Sequence, residues 1–475
     1  MIRNVAIVGG GYSGAACAIG LARRATTPLQ VSVIEPRDQI GAGAAYATTD
    51  PVHRLNVQDS LMVVYADAIG DFPRWLTQSG IRATDPEGAG SDGQFYARRS
   101  DFARYMTQQV AWHAANNASG SEIIHRRCRA VTLSEVGAQR AVALDDGTRL
   151  HADLVVIALG NETPATPATL PREVLAHPGY LANPWDEAAL AALPADAGVL
   201  LIGTGLTAAD VVASLTQRGH RGAITAISRR GLLPQGQGVF PGVEELLRRI
   251  SQPVPILVQQ HGMPDRAAEV LAWVRADVRA AAARGEPWHD AVDAVRDAAN
   301  TIWPALSLAE RRRYFRHLKP FYDSHRFRLA PQVDVVLQRE RRSGRLVVRA
   351  ARIVAATLQG DRFHVTLRPR HSRQPMTQAF DAVINCTGPN PDPSRSDSAF
   401  LRSGLEGGLL AVDASGVGLA VDAQSHTLRS DGSANERILA LGPVTKGRFA
   451  EVVAVPQITV HLQALIGRLL DEGQI

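Results

Sequence analysis

The sequence feature that most constrains the fold is a glycine loop between a strand and a helix, which occurs twice in the 475 residues. In the first copy, the apolar strand Val5–Val8 leads into the sequence GGGYSG, and a helix is predicted over Ser13–Arg24. In this GxGxxG pattern, Gly9 permits a tight turn, Gly11 lets a pyrophosphate approach the backbone, and Gly14 allows close packing of the helix. The loop therefore predicts a Rossmann-like unit that binds a dinucleotide.

An acidic residue ends the strand that follows this first loop. Glu35 closes the predicted strand Val31–Glu35, where a carboxylate can accept hydrogen bonds from both hydroxyl groups of a ribose. The N-terminus of the preceding helix offers N–H donors and a positive dipole to the phosphates. Glycines alone are a weak signal, but strand, loop, helix, second strand and acid together are specific.

The second copy differs at the position of the acid. Here the strand Val199–Gly203 is followed by a predicted helix over Thr207–Arg218, and the loop has alanine as its last small residue. The next strand, Ala223–Ser228, ends in serine and is followed directly by Arg229 and Arg230. Arginine binds a 2′-phosphate bidentately, whereas a carboxylate would repel it. The predicted contacts with this second nucleotide, NADPH in preference to NADH, are Gly203, Thr204, Gly205, Leu206, Arg229 and Arg230.

Alternation of strands and helices predicts an α/β fold with two Rossmann-like dinucleotide-binding domains, the second inserted into the first. Two similar segments, Asp153–Gly160 and Asp381–Gly388, each read as a strand that closes one domain and returns the chain to the other. We therefore predict a discontinuous FAD-binding domain (1–165 plus 385–475) and an NAD(P)-binding domain (166–384).

One part of the second domain departs from the alternation. A helical insertion is predicted at about 240–330, with its clearest helices over Asp265–Arg284 and Glu286–Asn300. Residues 84–94 are expected to form a flexible loop, because glycine and polar residues dominate there.

Composition and cysteine spacing exclude several classes of protein. Cys17, Cys128 and Cys386 form no CxxC pair and no zinc spacing, so we expect no metal site, no redox disulfide and a reducing, cytoplasmic location. The net charge of +5 comes almost entirely from arginine, without a basic run that would indicate nucleic-acid binding. No apolar run is long enough for a membrane span. A mild positive excess suits an anionic substrate or cofactor.

With these motifs, nearly the whole sequence resembles the FAD/NAD(P)-binding flavoproteins that have two dinucleotide domains and are related to flavin monooxygenases and N-hydroxylases. The family includes chains assigned as FAD-dependent urate hydroxylases. Besides the two loops, the resemblance rests on GAAY at 43–46, HRLNVQDSLM at 53–62, YARR at 96–99 with FARY at 102–105, HRFRLAP at 325–331, and Gly442-Pro443 with the segment from Glu451 to Pro456.

The resemblance implies where the flavin lies. The segment Leu55–Met62 would run along the flavin, the segment from Gly442 would pass the ribityl chain, and a helix starting near Pro456 would point its N–H groups at the flavin pyrimidine edge. With the first loop, the predicted FAD contacts are Gly9, Gly11, Ser13, Gly14, Glu35, Tyr46, Asn56, Val57, Met62, Val131, Gly160, Gly442, Pro456 and Ile458. The missing cysteine pair argues against a disulfide reductase.

The function that the resemblance implies is an FAD-dependent, NAD(P)H-consuming monooxygenase that hydroxylates a small polar molecule with oxygen through a flavin C4a-hydroperoxide. Urate is the most concrete candidate, since its anion could be held by arginine or lysine. The candidate catalytic or substrate-binding residues are His325, Arg326, Lys446, Arg448 and Glu451, with Arg328 as a further basic group.

Three alternatives stay open from the sequence, one of them a non-catalytic flavin-binding sensor, whose flavin NADPH would not reduce at a useful rate. A flavin N-hydroxylase that acts on an amine would need a carboxylate in the pocket, for which Glu451 and Asp59 are the candidates. An NADPH-dependent reductase would pass electrons to a protein partner. Neither nucleic acid nor a membrane is expected as a partner.

Overall fold

The computed structural model describes residues 1–65, 67–239, 242–372 and 374–475. The strands are β1 (Asn4–Val8), β2 (Gln30–Ile34), β3 (Glu122–Arg126), β4 (Ala130–Val136), β5 (Gln139–Leu144), β6 (Arg149–Ala152), β7 (Leu154–Ile157), β8 (Tyr180–Leu181), β9 (Val199–Ile202), β10 (Ile224–Ser228), β11 (Leu346–Gln359), β12 (Arg362–Pro369), β13 (Met376–Phe380), β14 (Ala382–Asn385), β15 (His426–Leu428) and β16 (Ala434–Ala440).

The α-helices are α1 (Tyr12–Arg24), α2 (Gly43–Tyr46), α3 (Asp71–Gln78), α4 (Ile81–Thr84), α5 (Arg99–Ala115), α6 (Arg172–Ala176), α7 (Glu187–Ala191), α8 (Leu206–Gln217), α9 (Val243–Ile250), α10 (Ile256–His261), α11 (Ala267–Ala283), α12 (His289–Ala305), α13 (Leu308–His317), α14 (Lys319–Arg326), α15 (Pro331–Arg342), α16 (Ala399–Glu406) and α17 (Val455–Asp471). Short 3₁₀ helices span Asp59–Leu61, Pro86–Gly88, Pro393–Arg395 and Gly442–Thr445.

The first sheet has the strand order β15-β16-β7-β1-β2-β3. All its strands are parallel except β15, which pairs antiparallel with β16. Apart from Asn4 at the start of β1, strands β1 and β7 consist of consecutive buried aliphatic residues, as expected for a parallel sheet covered on both faces. The C-terminal strand β16 pairs beside β7, so the sheet joins the two ends of the chain.

The second sheet has the order β13-β12-β11-β10-β9-β14-β8, with β8 to β11 and β14 parallel and β12 and β13 attached as an antiparallel extension. A third, antiparallel sheet contains β4, β5 and β6. Helices α1 and α17 pack in the core of the first sheet, and α8 and α15 pack in the core of the second. The two Rossmann-like sheets confirm the predicted fold class; the domain boundaries given above stay a prediction.

Helices α9 to α14 follow β10 and form what we call the helical unit (residues 243–326). Its core contains Leu257, Ile302, Trp303 and Leu306. The predicted helices at 265–284 and 286–300 are present as α11 and α12, although α12 begins three residues later and continues to Ala305. The first residues of the predicted insertion, 240 and 241, lie outside the described residues.

Buried polar contacts join the unit built on the first sheet to the unit built on the second sheet. His53 contacts the hydroxyl of Thr48 through Nδ1 at 2.7 Å and that of Ser214, on α8, through Nε2 at 2.9 Å. Arg99, at the start of α5, donates to the carboxylate of Asp210 on α8 at 2.7 Å. Because these side chains are buried or nearly so, each partner is needed to compensate the other's lost hydration.

The segment 84–94 corrects one expectation. Instead of a wholly irregular loop, it includes the 3₁₀ helix Pro86–Gly88 and a bridge between Ala89 and Phe95. Asp85 is 3% exposed and accepts two hydrogen bonds from Arg54, at 2.8 and 2.9 Å. Composition predicted the loop, but a buried ion pair with a residue thirty positions away fixes its start.

Candidate functional site

A cavity of about 2880 Å³ lies where the two glycine loops, the helical unit and the N-terminus of α17 meet. The carboxyl ends of β1 and β9 both open onto it, as parallel α/β sheets place their ligands. The cavity therefore brings together elements that are almost 450 residues apart in sequence.

The first glycine loop has the geometry that its sequence predicts. Gly9 has φ +105°, and a Cβ there would lie 2.6 Å from the carbonyl oxygen of Ala158. A Cβ on Gly14 would lie 1.9 Å from the carbonyl oxygen of Gly9, so helix α1 packs directly on the turn. Gly9 and Gly11 line the cavity, while Gly14 lies behind them. The helix start is thus left open to an anionic group.

Glu35 directly follows β2 and is 3% exposed. Its Oε2 accepts a hydrogen bond from the backbone N–H of Gly10 at 3.0 Å, and its Oε1 accepts two from Arg37, through the backbone N–H and the guanidinium. Both lone pairs of Oε1 are thus used, whereas Oε2 keeps a second lone pair. The side chain is therefore fixed at the cavity wall with acceptor capacity that a ribose could use.

Most of the other predicted FAD contacts also line the cavity. Burial raises the pKa of Tyr46 to about 12, so its hydroxyl stays protonated at neutral pH. Gly442 is the exception in position: it lies behind the wall, where a Cβ would come 2.4 Å from the hydroxyl oxygen of Ser13. Besides Gly9, Gly11 and Glu35, the predicted FAD contacts that line the cavity are Ser13, Tyr46, Asn56, Val57, Met62, Val131, Gly160, Pro456 and Ile458.

The N-terminus of α17 projects into the cavity with residues Ala454 to Ile458. The hydroxyl of Thr459 on this helix contacts that of Tyr12 at 2.7 Å and donates to the backbone carbonyl of Val63. A helix start fixed in this way directs its unpaired N–H groups and its positive dipole toward whatever occupies the cavity.

The second loop repeats the first. Gly203 has φ +126°, and a Cβ there would lie 2.0 Å from the carbonyl oxygen of Cys386. A Cβ on Gly205 would meet no atom within 4 Å, which leaves the loop open on the cavity side. Gly203, Thr204, Gly205 and Leu206 all line the cavity. The backbone could therefore cradle a second pyrophosphate.

The end of β10 differs from the end of β2, as the sequence predicts. The hydroxyl of Ser228 accepts hydrogen bonds from the Thr204 hydroxyl and the Gly231 backbone N–H, both at 2.9 Å. Arg229 is exposed, and the Arg230 guanidinium lies 5.3 Å from the Phe321 ring centre. Neither arginine forms an ion pair within the described residues, so both can bind a phosphate.

Arg352 lines the same part of the cavity but belongs to no motif that is visible in the sequence. It follows the segment of β11 that pairs with β10, whose register places Ala350 opposite Ser228. The nucleotide motif ends at β10, and only the pairing of strands more than a hundred residues apart brings this guanidinium to the site.

Two of the candidate catalytic residues bind each other. The Glu451 carboxylate, 3% exposed, accepts hydrogen bonds from Arg326 Nη2 and from the Tyr322 hydroxyl, each at 2.9 Å. Arg328 is likewise buried and donates to Asp293 at 2.7 Å. Arg326 and Arg328 therefore correct the expectation of free anion-binding groups, because a carboxylate already compensates each charge.

Lys446 is a basic candidate that contacts no carboxylate among the described residues. It lines the cavity, its Nζ donates to the side-chain oxygen of Asn161 at 3.2 Å, and burial together with the nearby charge of Lys319 lowers its pKa to about 8. His325 also lines the cavity, with Nδ1 2.8 Å from the carbonyl oxygen of Phe321. Arg448 is placed elsewhere: it packs on Phe449 and does not line the cavity, which corrects its selection.

Asp59, the other carboxylate considered for an amine, also lies away from the cavity. It is buried, paired with Arg82, and burial raises its pKa. No cluster of possible metal ligands occurs within the described ranges. The same part of the chain has no helix with the length and hydropathy that crossing a membrane requires.

Comparison with known proteins agrees with the predicted fold. Residues 6–162 match the sequence model of a family described as FAD-NAD(P)-binding. No curated protein sequence is significantly similar to this chain. The match confirms the prediction of an FAD-NAD(P)-binding unit around the first loop.

Solved structures with this fold cover the whole chain. The ornithine N-hydroxylase of Kutzneria sp. 744 is 16% identical, with a TM-score of 0.66 and full coverage of both chains. The cadaverine monooxygenase of Erwinia amylovora is 11% identical, with a TM-score of 0.64, and the match covers 99% of this chain and 95% of that one. The thioredoxin reductase of T. acidophilum is 12% identical, with a TM-score of 0.53 and 98% and 99% coverage. At these identities, the similarity establishes the two-domain fold and not the reaction.

Proposed function

We propose that this protein is an FAD- and NADPH-dependent monooxygenase that hydroxylates the nitrogen of an amine. The observation that carries the proposal is that both glycine loops open onto one continuous cavity, which the helical unit also lines. Two nucleotides and a substrate could therefore meet in a single space. Structures with the same fold include enzymes that act on ornithine and cadaverine, both of which are amines.

The residues present fit both nucleotides. Gly9, Gly11, Glu35 and the N-terminus of α17 would hold FAD, since the loop leaves backbone N–H groups open and Glu35 keeps free acceptor capacity. Gly205, Arg229 and Arg230 would hold NADPH, with a guanidinium on its 2′-phosphate. When bound, FAD reduced by NADPH supplies the activation of oxygen for transfer of one oxygen atom.

Lys446 is proposed to take the proton that blocks the substrate nitrogen. An amine arrives as an ammonium ion, whose nitrogen has no lone pair to accept an electrophilic oxygen. With its pKa lowered to about 8, the Lys446 Nζ is partly neutral near physiological pH and can accept a proton. Its hydrogen bond to Asn161 holds Nζ at the cavity wall.

Glu451 and Arg326 are proposed as positioning residues. Their ion pair, with Tyr322, fastens α14 to the segment just before α17. The backbone N–H of Glu451 also donates to Asn300 on α12 at 2.9 Å. Together these contacts fix the helical unit against the flavin side of the cavity, which would shield the reacting groups from water.

An amine is favoured over urate by the comparisons. The compared monooxygenases with this fold act on amines, and nothing in the comparisons supports a purine substrate. The Arg326–Glu451 pair does not discriminate between the two, because it engages both a guanidinium that an anion would need and the carboxylate expected for an amine.

The proposal is tested with the FAD-loaded enzyme, NADPH and oxygen. A panel of primary amines, with urate alongside, is screened for compounds that increase NADPH oxidation and oxygen uptake together. An amine that increases both and yields a hydroxylamine supports the proposal. If urate alone is consumed, the substrate is wrong. If only a protein acceptor such as a ferredoxin takes the electrons, the enzyme is a reductase.

A further inference from the structure

Two helices of the helical unit present apolar stripes to the cavity. On α11 these residues follow helical spacing, so they lie on one face, and α12 carries a similar face. The apolar residues of the two faces that line the cavity are Ala267, Val270, Leu271, Val274 and Val278 on α11, and Val292, Val295, Ala299, Ile302 and Trp303 on α12.

The two apolar stripes do not pack completely against each other. Val270, Val274, Val278 and Val295 remain only partly buried, although they lie on the inner faces of packed helices. Leu246 of α9 and Phe315 of α13 line the same space. We call this apolar part of the cavity, bounded by α9 and α11 to α13, the chamber.

The chamber is connected to the nucleotide side of the cavity. Trp303 on α12 donates through Nε1 to the backbone carbonyl of Gly447 at 2.8 Å, and Asn300 contacts the backbone of Glu451. The segment 447–451 precedes the N-terminus of α17. Because the chamber and the nucleotide side belong to one cavity, a molecule in the chamber can extend from its apolar walls toward the proposed reaction centre.

The chamber offers little to a second charged group. Arg296 lines it, but this guanidinium is buried and paired with both Asp293 and Asp297, at 3.2 and 2.7 Å. Arg275 lines the cavity from an exposed position. The second ammonium group of a diamine would have to lie among valines and leucines, which is unfavourable without a partner, and the carboxylate of an amino acid would have to reach the exposed Arg275.

We infer that the chamber holds the apolar body of the substrate, so that the substrate is an amine with an extended alkyl or aryl group. This inference rests on the proposed function for the amine end alone. Burial of one methylene group in such a space improves affinity roughly four-fold. Affinity should therefore rise with chain length until the chamber is filled.

The test measures binding by calorimetry to the FAD-loaded protein, without NADPH. The probes are primary n-alkylamines from butyl to decyl and the matching n-alkanols. We expect both series to bind more tightly with each methylene, by roughly three- to four-fold. If affinity does not change with chain length in either series, the inference is wrong.

A matched pair of variants locates the binding. Val274→Asp places a charge in the chamber, whereas Ala276→Asp adds the same charge on the exposed side of α11. Val274→Asp should weaken decylamine and decanol binding at least ten-fold, and Ala276→Asp should leave both near wild type. Equal effects of the two variants would contradict the inference. Should Val274→Asp fail to fold, Val274→Phe shortens the longest chain that binds, with circular dichroism as the folding control.

The two proposals fail in different ways. Alkanols carry no nitrogen, so their binding reports the chamber and not the reaction. Alkanol binding that increases with chain length, without oxidation of any amine, keeps the inference and overturns N-hydroxylation. If amines are hydroxylated but their binding is independent of chain length, N-hydroxylation is supported and the inference about the chamber is overturned.

Discussion

The nucleotide side and the helical side of the cavity are built in contrasting ways. The nucleotide side consists of backbone: Gly9 and Gly203 hold nearly the same left-handed turn, with φ +105° and +126°, and each packs on a carbonyl of a neighbouring strand connection. The helical side consists of apolar side chains on α11 and α12, half of them valines. Backbone cradles recognise phosphates in any nucleotide, whereas side chains decide which substrate fits.

The difference also separates what the sequence predicts from what it does not. The glycine loops, Glu35 and Arg229 could be identified because every part of each motif lies within about 30 residues, and strand and helix follow from local patterning. The apolar spacing of Val270, Val274 and Val278 was equally visible, but such a stripe ordinarily packs in a core. Only the tertiary structure leaves it facing a cavity.

Ion pairs between residues that are distant in sequence also could not be predicted from the sequence. Arg326 and Arg328 looked like free cations, because their carboxylates, Glu451 and Asp293, are not their sequence neighbours. Arg448 lies between the predicted flavin strand and Glu451 in the sequence, which makes it a candidate, yet it does not line the cavity. Charge in a sequence does not reveal which charges compensate each other.

The largest effect is expected from substitutions that disrupt the two glycine loops of the nucleotide side separately. Gly203→Val should abolish reduction of the flavin by NADPH while FAD stays bound, because a Cβ would overlap the Cys386 carbonyl. Gly9→Val should abolish FAD binding. Flavin absorbance and anaerobic stopped-flow reduction measure the two effects. Loss of FAD in Gly203→Val, in a protein that circular dichroism shows to be folded, would mean that the loops are not separate sites.

The second prediction concerns the pH dependence that Lys446 should give to the reaction. Because Lys446 is protonated below its pKa of about 8 and neutral above it, kcat/KM for an amine should rise as pH increases through about 8. Lys446→Met and Lys446→Arg should each lower kcat/KM at pH 8 by roughly a hundred-fold or more and remove this inflection. Retention of the inflection in both variants would assign it to another group.

A third, smaller effect tests nucleotide choice at the end of β10. Arg229→Ala or Arg230→Ala should raise the KM for NADPH roughly ten- to a hundred-fold, as expected for the loss of one charge-assisted contact. The KM for NADH, which lacks the 2′-phosphate, should hardly change. A wild type that prefers NADH, with no shift in either variant, would make these arginines ordinary surface charges.

The smallest effect tests how firmly the helical unit is held. Trp303→Phe keeps the aromatic packing but removes the hydrogen bond to the Gly447 carbonyl. Unfolding free energy should fall by about 1 kcal/mol, with a larger share of NADPH oxidation uncoupled from product. Urea denaturation and product counting measure these two quantities. An unchanged coupling ratio would show that this contact does not keep water from the reaction.

The measurement that tests the central claim most directly uses ¹⁸O₂ with NADPH and an amine that increases turnover. N-hydroxylation predicts a hydroxylamine in which the added oxygen comes from ¹⁸O₂, with one product formed for each NADPH in the coupled reaction. Formation of labelled hydrogen peroxide alone, or electron transfer without any oxygenated product across the amine panel, would contradict it.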